Sequence, residues 1–340
     1  MNLMHEFRKD PILDRWIIVA KTAVTSPADY IVKKEDEADD SHSCPLCAGK
    51  EGNTPPEITA IRAPGSKPDG PGWFTRVTHL FKPLLQVDGK LNPRAVGIYD
   101  MIDGVGASEL IIESPEHSSD KGMNIEQTVR VFLTYKERIM ALESDKRLKY
   151  VLISKNYGKA AGAEFSHPHS QLIASPIIPK RIKEELDGAR LYYRLKDRCV
   201  FCDIIREEEK IADRIILENR NFIVFCPFAP AFPFEAWIVP RRHNCAFQDI
   251  EEEEMEGLGA TVISLMDKMK KLLDDPPYNL ILHTAPNRVP RRGHWHTLED
   301  DFHWHIEVVP RLISPGFEWR LGFYVLNIPP EEGAKYLREV

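Results

Sequence analysis

The run His167-Pro168-His169-Ser170-Gln171 carries the densest chemistry in this chain. Side chains two apart on an extended strand project the same way, so a strand here sets two imidazoles and an amide on one face. A neutral imidazole, with an unperturbed pKa of about 6.5, attacks phosphorus at physiological pH and can later leave from the phosphorylated nitrogen. This suggests nucleotidyl transfer through a covalent histidine intermediate. A histidine pair on a strand is also a common metal site or satisfied polar cluster, so the five residues alone leave the choice open.

Four of the six cysteines fall in two CxxC pairs, Cys44 with Cys47 and Cys199 with Cys202. In a reducing compartment such pairs bind metal or exchange electrons, and metal is favoured here because histidines recur downstream. Structural zinc takes four thiolate or imidazole ligands in a tetrahedron. The first half offers Cys44, Cys47, His117 and one of the histidine pair, with His167 the better candidate if His169 is kept for chemistry. The second half offers Cys199, Cys202, His243 and His303, with His283 or His305 as substitutes. Two zinc ions per chain are expected, both structural, because protein fills all four positions at each site. A single four-cysteine ribbon is less natural across so long a separation. A deaminase-like reading of His305 and Glu307 fails on order, since the histidine of that motif precedes its cysteines. Cys226 and Cys245 fit no pattern and read as core or near-core residues.

The elements that must position these residues repeat. Each half reads CxxC, a strand-like run, Pro and His, a second strand, then His-x-His-x-Gln or His-x-His-x-Glu. The first copy runs through Glu109–His117 and Tyr150–Ser154 to Gln171, the second through Ala236–His243 and Leu280–His283 to Glu307. Four elements in the same order imply two tandem copies of one α+β module, each an antiparallel sheet flanked by helices. The modules are placed at residues 1–185 and 186–340. The charged stretch Lys180–Arg198 between them, with Leu186, Leu191 and Leu195, predicts a connecting helix. Further helices are predicted over Ile125–Leu142 and Glu251–Leu273, the latter with Leu258, Val262, Leu265 and Met266 along one stripe. Asp29–Ser43 and Pro64–Gly72 read as loops.

Composition bounds the partners. The 340 residues are 43% hydrophobic and 29% charged, as in a water-soluble globular protein with a substantial core. A formal charge of −7 argues against a general nucleic-acid binder, so phosphate recognition must be local. Met1–Asp10 holds no apolar stretch, and no run reaches the roughly 20 residues of a membrane span. No membrane partner and a cytoplasmic location are expected.

The sequence also resembles the galactose-1-phosphate uridylyltransferase family, a branch of the histidine-triad superfamily that includes ADP-glucose phosphorylase. The shared features are Arg8-Lys9-Asp10-Pro11 with Asp14-Arg15-Trp16-Ile17, Cys44-Pro45-Leu46-Cys47, Asn156-Tyr157-Gly158 with Ala161-Gly162, and His167–Gln171. They continue through Asp274–Asn279 and Phe302–Pro310 to Gly316-Phe317-Glu318. The resemblance implies that His169 is the nucleophile and that Gln171 donates to phosphoryl oxygens as charge builds. It implies that Asn156, Gly158 and Ser166 lie along the nucleotide phosphates, with Gly158 and Gly162 permitting close backbone approach. Glu318 would contact the sugar. It further implies ping-pong transfer from a nucleotide sugar to a sugar 1-phosphate or phosphate, a homodimer with shared active sites, and zinc at both CxxC sets as in the plant ADP-glucose phosphorylase branch. Uridylyl transfer between UDP-glucose and galactose 1-phosphate is the first functional reading. Phosphorolysis of ADP-glucose, or of a related adenylyl compound, is the second, and a zinc-stabilised nucleotide-binding protein without turnover the third. One departure bears on donor recognition: relatives carry phosphate-binding arginines where this chain reads Ala23-Val24-Thr25-Ser26-Pro27, and an asparagine near His79. Lys21, His79 or Lys82 are the candidate replacements.

Overall fold

Short runs of β-branched and aromatic residues, punctuated by turns, form fifteen strands among the described residues. The computed structural model describes residues 5–21, 25–31, 41–118, 123–290, 296–313, 322 and 324–340. Strands β1 (Glu6–Lys9) and β2 (Trp16–Val19) form a small sheet with β15 (Tyr324–Leu326), and β5 (Arg94–Val96) and β6 (Tyr99–Met101) form a hairpin. The remaining ten belong to one sheet. Its first half holds β3 (Glu57–Arg62), β4 (Trp73–His79), β7 (Ala107–Ile112), β8 (Tyr150–Tyr157) and β9 (His169–Ser175). Its second half holds β10 (Ile215–Glu218), β11 (Phe222–Phe225), β12 (Ala236–Pro240), β13 (Tyr278–His283) and β14 (His305–Pro310).

The order across this sheet is β10-β11-β12-β14-β13-β8-β9-β7-β4-β3. Read from either edge, the two halves run through corresponding strands in the same order and meet at the antiparallel pair β8 and β13. The duplication expected from sequence is therefore present, with the two five-stranded sheets joined into one. Registers give residue equivalences directly: Ser154 pairs with Gln171 as Ile281 pairs with Glu307. On the other side, Leu110 pairs with Gln171 as Trp237 pairs with Glu307.

Two long helices cover one face. Helix α1 (Ile125–Glu143) starts where Asn124 caps it by accepting from the Gln127 N–H at 2.8 Å, and it buries Val131, Phe132, Tyr135, Ile139 and Leu142. Its counterpart α4 (Glu252–Leu273) buries Met255, Leu258, Val262, Leu265 and Met269. Both stripes enter one core with Val77, Ile111, Leu172, Leu280, Ile306 and Val308 from alternate strand positions. On the opposite face, α2 (Lys180–Lys196) and α3 (Val200–Ile211) cover the second half and reach Tyr150 and Leu152 of the adjoining β8. Helix α2 spans the predicted connection but turns inward on Ile182, Leu186 and Ala189; Leu191 and Leu195 are exposed. The five-residue step from Leu186 to Leu191 leaves the helical stripe, while spacings of four and three stay on it. The short helix α5 (Leu298–Asp301) and the terminal α6 (Pro330–Glu339) complete the chain. Cys226 and Cys245 are buried and free, as expected. No helix among the described residues is long and apolar enough to cross a membrane.

Candidate active site and metal centres

Strand β9 begins at His169 because Pro168 has no N–H to give the ladder. Instead the Pro168 carbonyl accepts from the Glu113 N–H at 3.0 Å. Just ahead of the strand, His167 turns its ring toward the first CxxC pair, with Nε2 donating to the Ser114 carbonyl at 2.7 Å. This leaves its Nδ1 lone pair 3.7 Å from Cys47 Sγ.

His169 is oriented by a different contact. Its Nδ1 lies 2.8 Å from the His167 carbonyl. A carbonyl only accepts, so Nδ1 carries the proton and Nε2 the lone pair. Nε2 makes no hydrogen bond among the described residues. Burial is the main reason the His169 pKa lies below that of an ordinary histidine, although the His167 carbonyl and Glu113 oppose the shift. The ring is therefore neutral near pH 7, with its basic nitrogen unengaged, and the residue is 3% exposed. Phe165 packs edge-on against it, centroids 5.5 Å apart. Two residues along the strand, Gln171 is half-buried on the same face.

Asn156 reaches the site from β8. Its Oδ1 accepts from Asn279 Nδ2 at 2.7 Å, and the same Asn279 nitrogen lies 2.9 Å from the Ala161 carbonyl. Asn279 belongs to the second module, so the catalytic face is braced across the central strand pair. Gly158 (φ 79°) and Gly162 (φ 87°) turn the following loop through left-handed backbone, and a Cβ at Gly158 would meet Pro277 at 2.9 Å. Ser166 Oγ lies 3.2 Å from His117 Nε2, so it steadies a metal-ligand candidate as well as bordering the site. Glu318 lies outside the described residues. Of the candidate cationic replacements, Lys21 pairs with Glu6, and His79 sits opposite Glu109 in register. Glu109 is three residues from Ile112, the cross-strand partner of His169, so His79 belongs to the helix-covered face and is not a replacement on the catalytic face.

Both CxxC sets close into four-donor clusters. Cys44, Cys47, His117 and His167 form one, Cys199, Cys202, His243 and His303 the other, with the donor atoms of each within 4.8 Å of one another. The Cys47 Sγ to Nδ1 distances are 3.4 Å for His117 and 3.7 Å for His167; from Cys202 Sγ they are 3.3 Å for His243 and 3.7 Å for His303. A tetrahedral zinc with bonds of about 2.3 Å to sulfur and about 2.0 Å to nitrogen spans its S···N edges by about 3.5 Å, so both clusters fit the ion. The Cys202 thiol is pulled well below its ordinary pKa, first by a hydrogen bond from Cys199 and then by His243 and His303, favouring the thiolate a metal requires. His283 and His305 are not part of the second cluster.

Two family models match, described as the N-terminal domain (residues 2–179) and the C-terminal domain (residues 185–324) of galactose-1-phosphate uridyl transferase. The chain belongs to the galactose-1-phosphate uridyl transferase family. Among family members, an ADP-glucose phosphorylase of Arabidopsis thaliana is 32% identical over all of this chain and 94% of its own length. A crystal structure of an ADP-glucose phosphorylase from that plant with bound ADP-glucose superposes with a TM-score of 0.80 at 32% identity, covering 99% of each chain. The galactose-1-phosphate uridylyltransferase of Thermotoga maritima is 26% identical over 99% of this chain and 98% of its own.

Within this family fold the second module carries a third donor group. Glu185, His283, His305 and Glu307 are all buried, with donor atoms converging within 4.8 Å. Burial disfavours a charged His283, yet Glu185 and Glu307 outweigh it and push its pKa up to about 10. Glu185 Oε2 lies 2.8 Å from His283 Nδ1, and Arg181 lies 3.2 Å from Glu185 and 3.5 Å from Glu307. Two cations thus already balance the two carboxylates. Sequence reasoning missed Glu185, which looked like one more charge on a connecting helix. It also missed Phe165, Asn279, Glu113 and Lys155 as neighbours of the site: Asn279 and Glu113 lie in runs the sequence singles out, but only tertiary structure brings the four residues there.

Proposed function

We propose that this protein transfers a nucleoside monophosphate from a nucleotide sugar through a covalent intermediate on His169, and that its donor is ADP-glucose with phosphate as acceptor. The observation that carries the chemistry is the fixed tautomer of His169. With Nδ1–H committed to the His167 carbonyl, the Nε2 lone pair attacks the α-phosphorus and a P–N bond forms. The P–O bond to the sugar phosphate breaks, releasing glucose 1-phosphate. A phosphate oxygen then attacks the same phosphorus, the P–N bond breaks, and ADP leaves with neutral His169 restored. Gln171 and the Asn156 amide, facing that phosphorus, donate to its oxygens as charge accumulates. Cys44, Cys47, His117 and His167, and Cys199, Cys202, His243 and His303, would each hold a zinc ion, which would supply structural fixation of the strand ends.

The adenylyl donor is supported by the 32% identity with the Arabidopsis phosphorylase across the whole chain. Uridylyl transfer to a hexose 1-phosphate is the second reading, supported by the family models and the Thermotoga relative. Incubation with ADP-glucose and with UDP-glucose, each labelled at the α-phosphate, distinguishes them. Alkali-stable, acid-labile label from ADP-glucose, discharged by phosphate as labelled ADP, is the expected result. Label from UDP-glucose alone transfers the assignment to the second reading. No label from either donor, in protein with both metal sites filled, overturns nucleotidyl transfer.

A further inference from the structure

Behind the catalytic strand, on the face covered by helices, lies an ion pair that the reaction outlined above does not use. Lys155 Nζ bonds Glu113 Oε2, and the Ser170 hydroxyl bonds Glu113 Oε1. Tyr135 OH lies 3.2 Å from the same Oε1 and also bonds Ser170. All four side chains are largely shut off from solvent: Glu113 is 1% exposed, Ser170 0%, Tyr135 2%, and the Lys155 side chain 11%.

Glu113 holds the chain on both sides of His169. Its backbone N–H donates to the Pro168 carbonyl at 3.0 Å, and its carboxylate accepts from Ser170. Its own carbonyl is fixed by Gln127 Nε2 at 2.6 Å, which ties the clamp to α1. Lys155 keeps the carboxylate ionised: burial alone would raise the Glu113 pKa, and the nearby ammonium turns the balance downward. An ionised carboxylate only accepts, so Ser170 is held as a donor in one orientation.

The second module shows that the fold does not need this network. Superposing Gln171 on Glu307 through the strand registers places Lys155 on Leu282, Ser170 on Ile306 and Glu113 on Pro240. All three counterparts are apolar. Burying an ion pair gains little stability over apolar packing of the same positions. A pair present only behind the nucleophile, and absent from its twin, serves something other than folding.

We infer that Glu113, paired with Lys155, is a positioning residue that fixes the backbone around His169 from behind the sheet and so sets the rate of nucleotide loading without contributing to donor binding. A nucleophile displaced by about 1 Å loses about 10²-fold in rate, so an anchor on the adjacent residue has ample leverage. The inference rests on His169 being the nucleophile.

The test is the single-turnover rate of label transfer to His169 in the wild type and three variants: Glu113→Gln/Lys155→Met, Ser170→Ala, and the double variant Glu113→Leu/Lys155→Met. The double variant removes both charges together, so neither is left buried alone. It is expected to keep both metals and the wild-type apparent donor KM within about twofold, while loading slows at least tenfold. Glu113→Gln/Lys155→Met, which retains an acceptor for Ser170 and leaves no charge unpaired, is expected to recover most of that loss. Ser170→Ala, the smallest change, is expected to slow loading with KM unchanged, and it serves as the test if the double variant does not fold. Wild-type loading rates in Ser170→Ala and in any double variant that folds, or a loss confined to KM or thermal stability, overturn the inference. Failure of the wild type itself to take label would instead remove the assignment of His169 and leave the clamp without a nucleophile to position.

Discussion

His169 and His305 occupy the same place in the two modules and are held by the same device. In each, Nδ1 faces the carbonyl of the histidine two residues earlier, at 2.8 Å for His169 and 3.1 Å for His305. Their surroundings differ. Nε2 of His169 is unengaged on a face shared with Gln171 and Asn156, whereas Nε2 of His305 is fully enclosed without a partner. Around His305 the counterparts are Glu307 for Gln171, His283 for Asn156 and Trp237 for Leu110. Trp237 stacks on His305 at 5.0 Å and Phe201 packs at 5.1 Å. Helices α2 and α3 then close the face. One backbone device therefore holds the proposed nucleophile, 3% exposed, on an amide-lined face, and a fully buried packing residue beneath α2 and α3. For the proposed chemistry the tautomer is necessary but not sufficient, and the groups packed around Nε2 separate the two histidines.

The largest effect expected across this comparison comes from the metal clusters, because a structural zinc contributes on the order of 10 kcal/mol to folding. Chelation should unfold both modules cooperatively. Cys44→Ser should abolish loading of His169 as well as one metal, whereas Cys202→Ser should lower the melting temperature while the folded fraction still loads. Metal analysis alongside label transfer reads both, and equal loss of loading in the two variants would break the claim that chemistry is confined to the first module.

Next in size, His169→Ala should abolish loading, since no nitrogen remains on which the P–N bond can form, with both metals retained. His305→Ala should leave loading intact and destabilise the fold by about 2–4 kcal/mol in urea titration. If His169→Ala instead releases metal, the roles of His167 and His169 must be exchanged.

Gln171→Glu makes the first module resemble the second. A carboxylate where an amide should donate is expected to slow loading by about 10²–10³-fold. The reciprocal Glu307→Gln should not alter loading.

The acidic cluster of the second module predicts a pH signature. The pKa of His283 is raised from 6.5 to about 10 in the folded state. Its contribution to stability is thus fully present below pH 6.5 and is lost as pH rises through 10. Urea unfolding at stepped alkaline pH should show this decline in the wild type, on the order of 5 kcal/mol across the whole window, and a flatter profile in His283→Gln. Identical profiles would mean that the carboxylates do not hold an imidazolium there.

The smallest effect is expected at the junction. Asn279→Ala removes the brace on Asn156 and should slow loading by about tenfold with little change in melting temperature. An unchanged rate would show that the modules are joined in structure only.

Much of this was legible in the residues. The CxxC pairs, the two His-x-His runs and their order gave the duplication, and both four-donor clusters close on the sets read from sequence, with His167 and His303 as the fourth donors. Helices α1 and α4 follow from apolar positions three and four apart, because that spacing needs only local geometry. Helix α3 was not foreseen; Cys199 caps it and Cys202 lies in its first turn, so the metal motif masked a helix start.

Sequence alone determined which atoms can do chemistry, since residue type fixes donors, acceptors and nucleophiles and short spacings fix which of them share a face. Tertiary structure decided the rest. The union of ten strands into one sheet set Asn279 beside Asn156 and Glu113 behind His169 across separations no local rule spans. It also placed α2 and α3 mainly over the second module, and that coverage separates the fully enclosed His305 from His169, which sits on a face shared with Gln171 and Asn156.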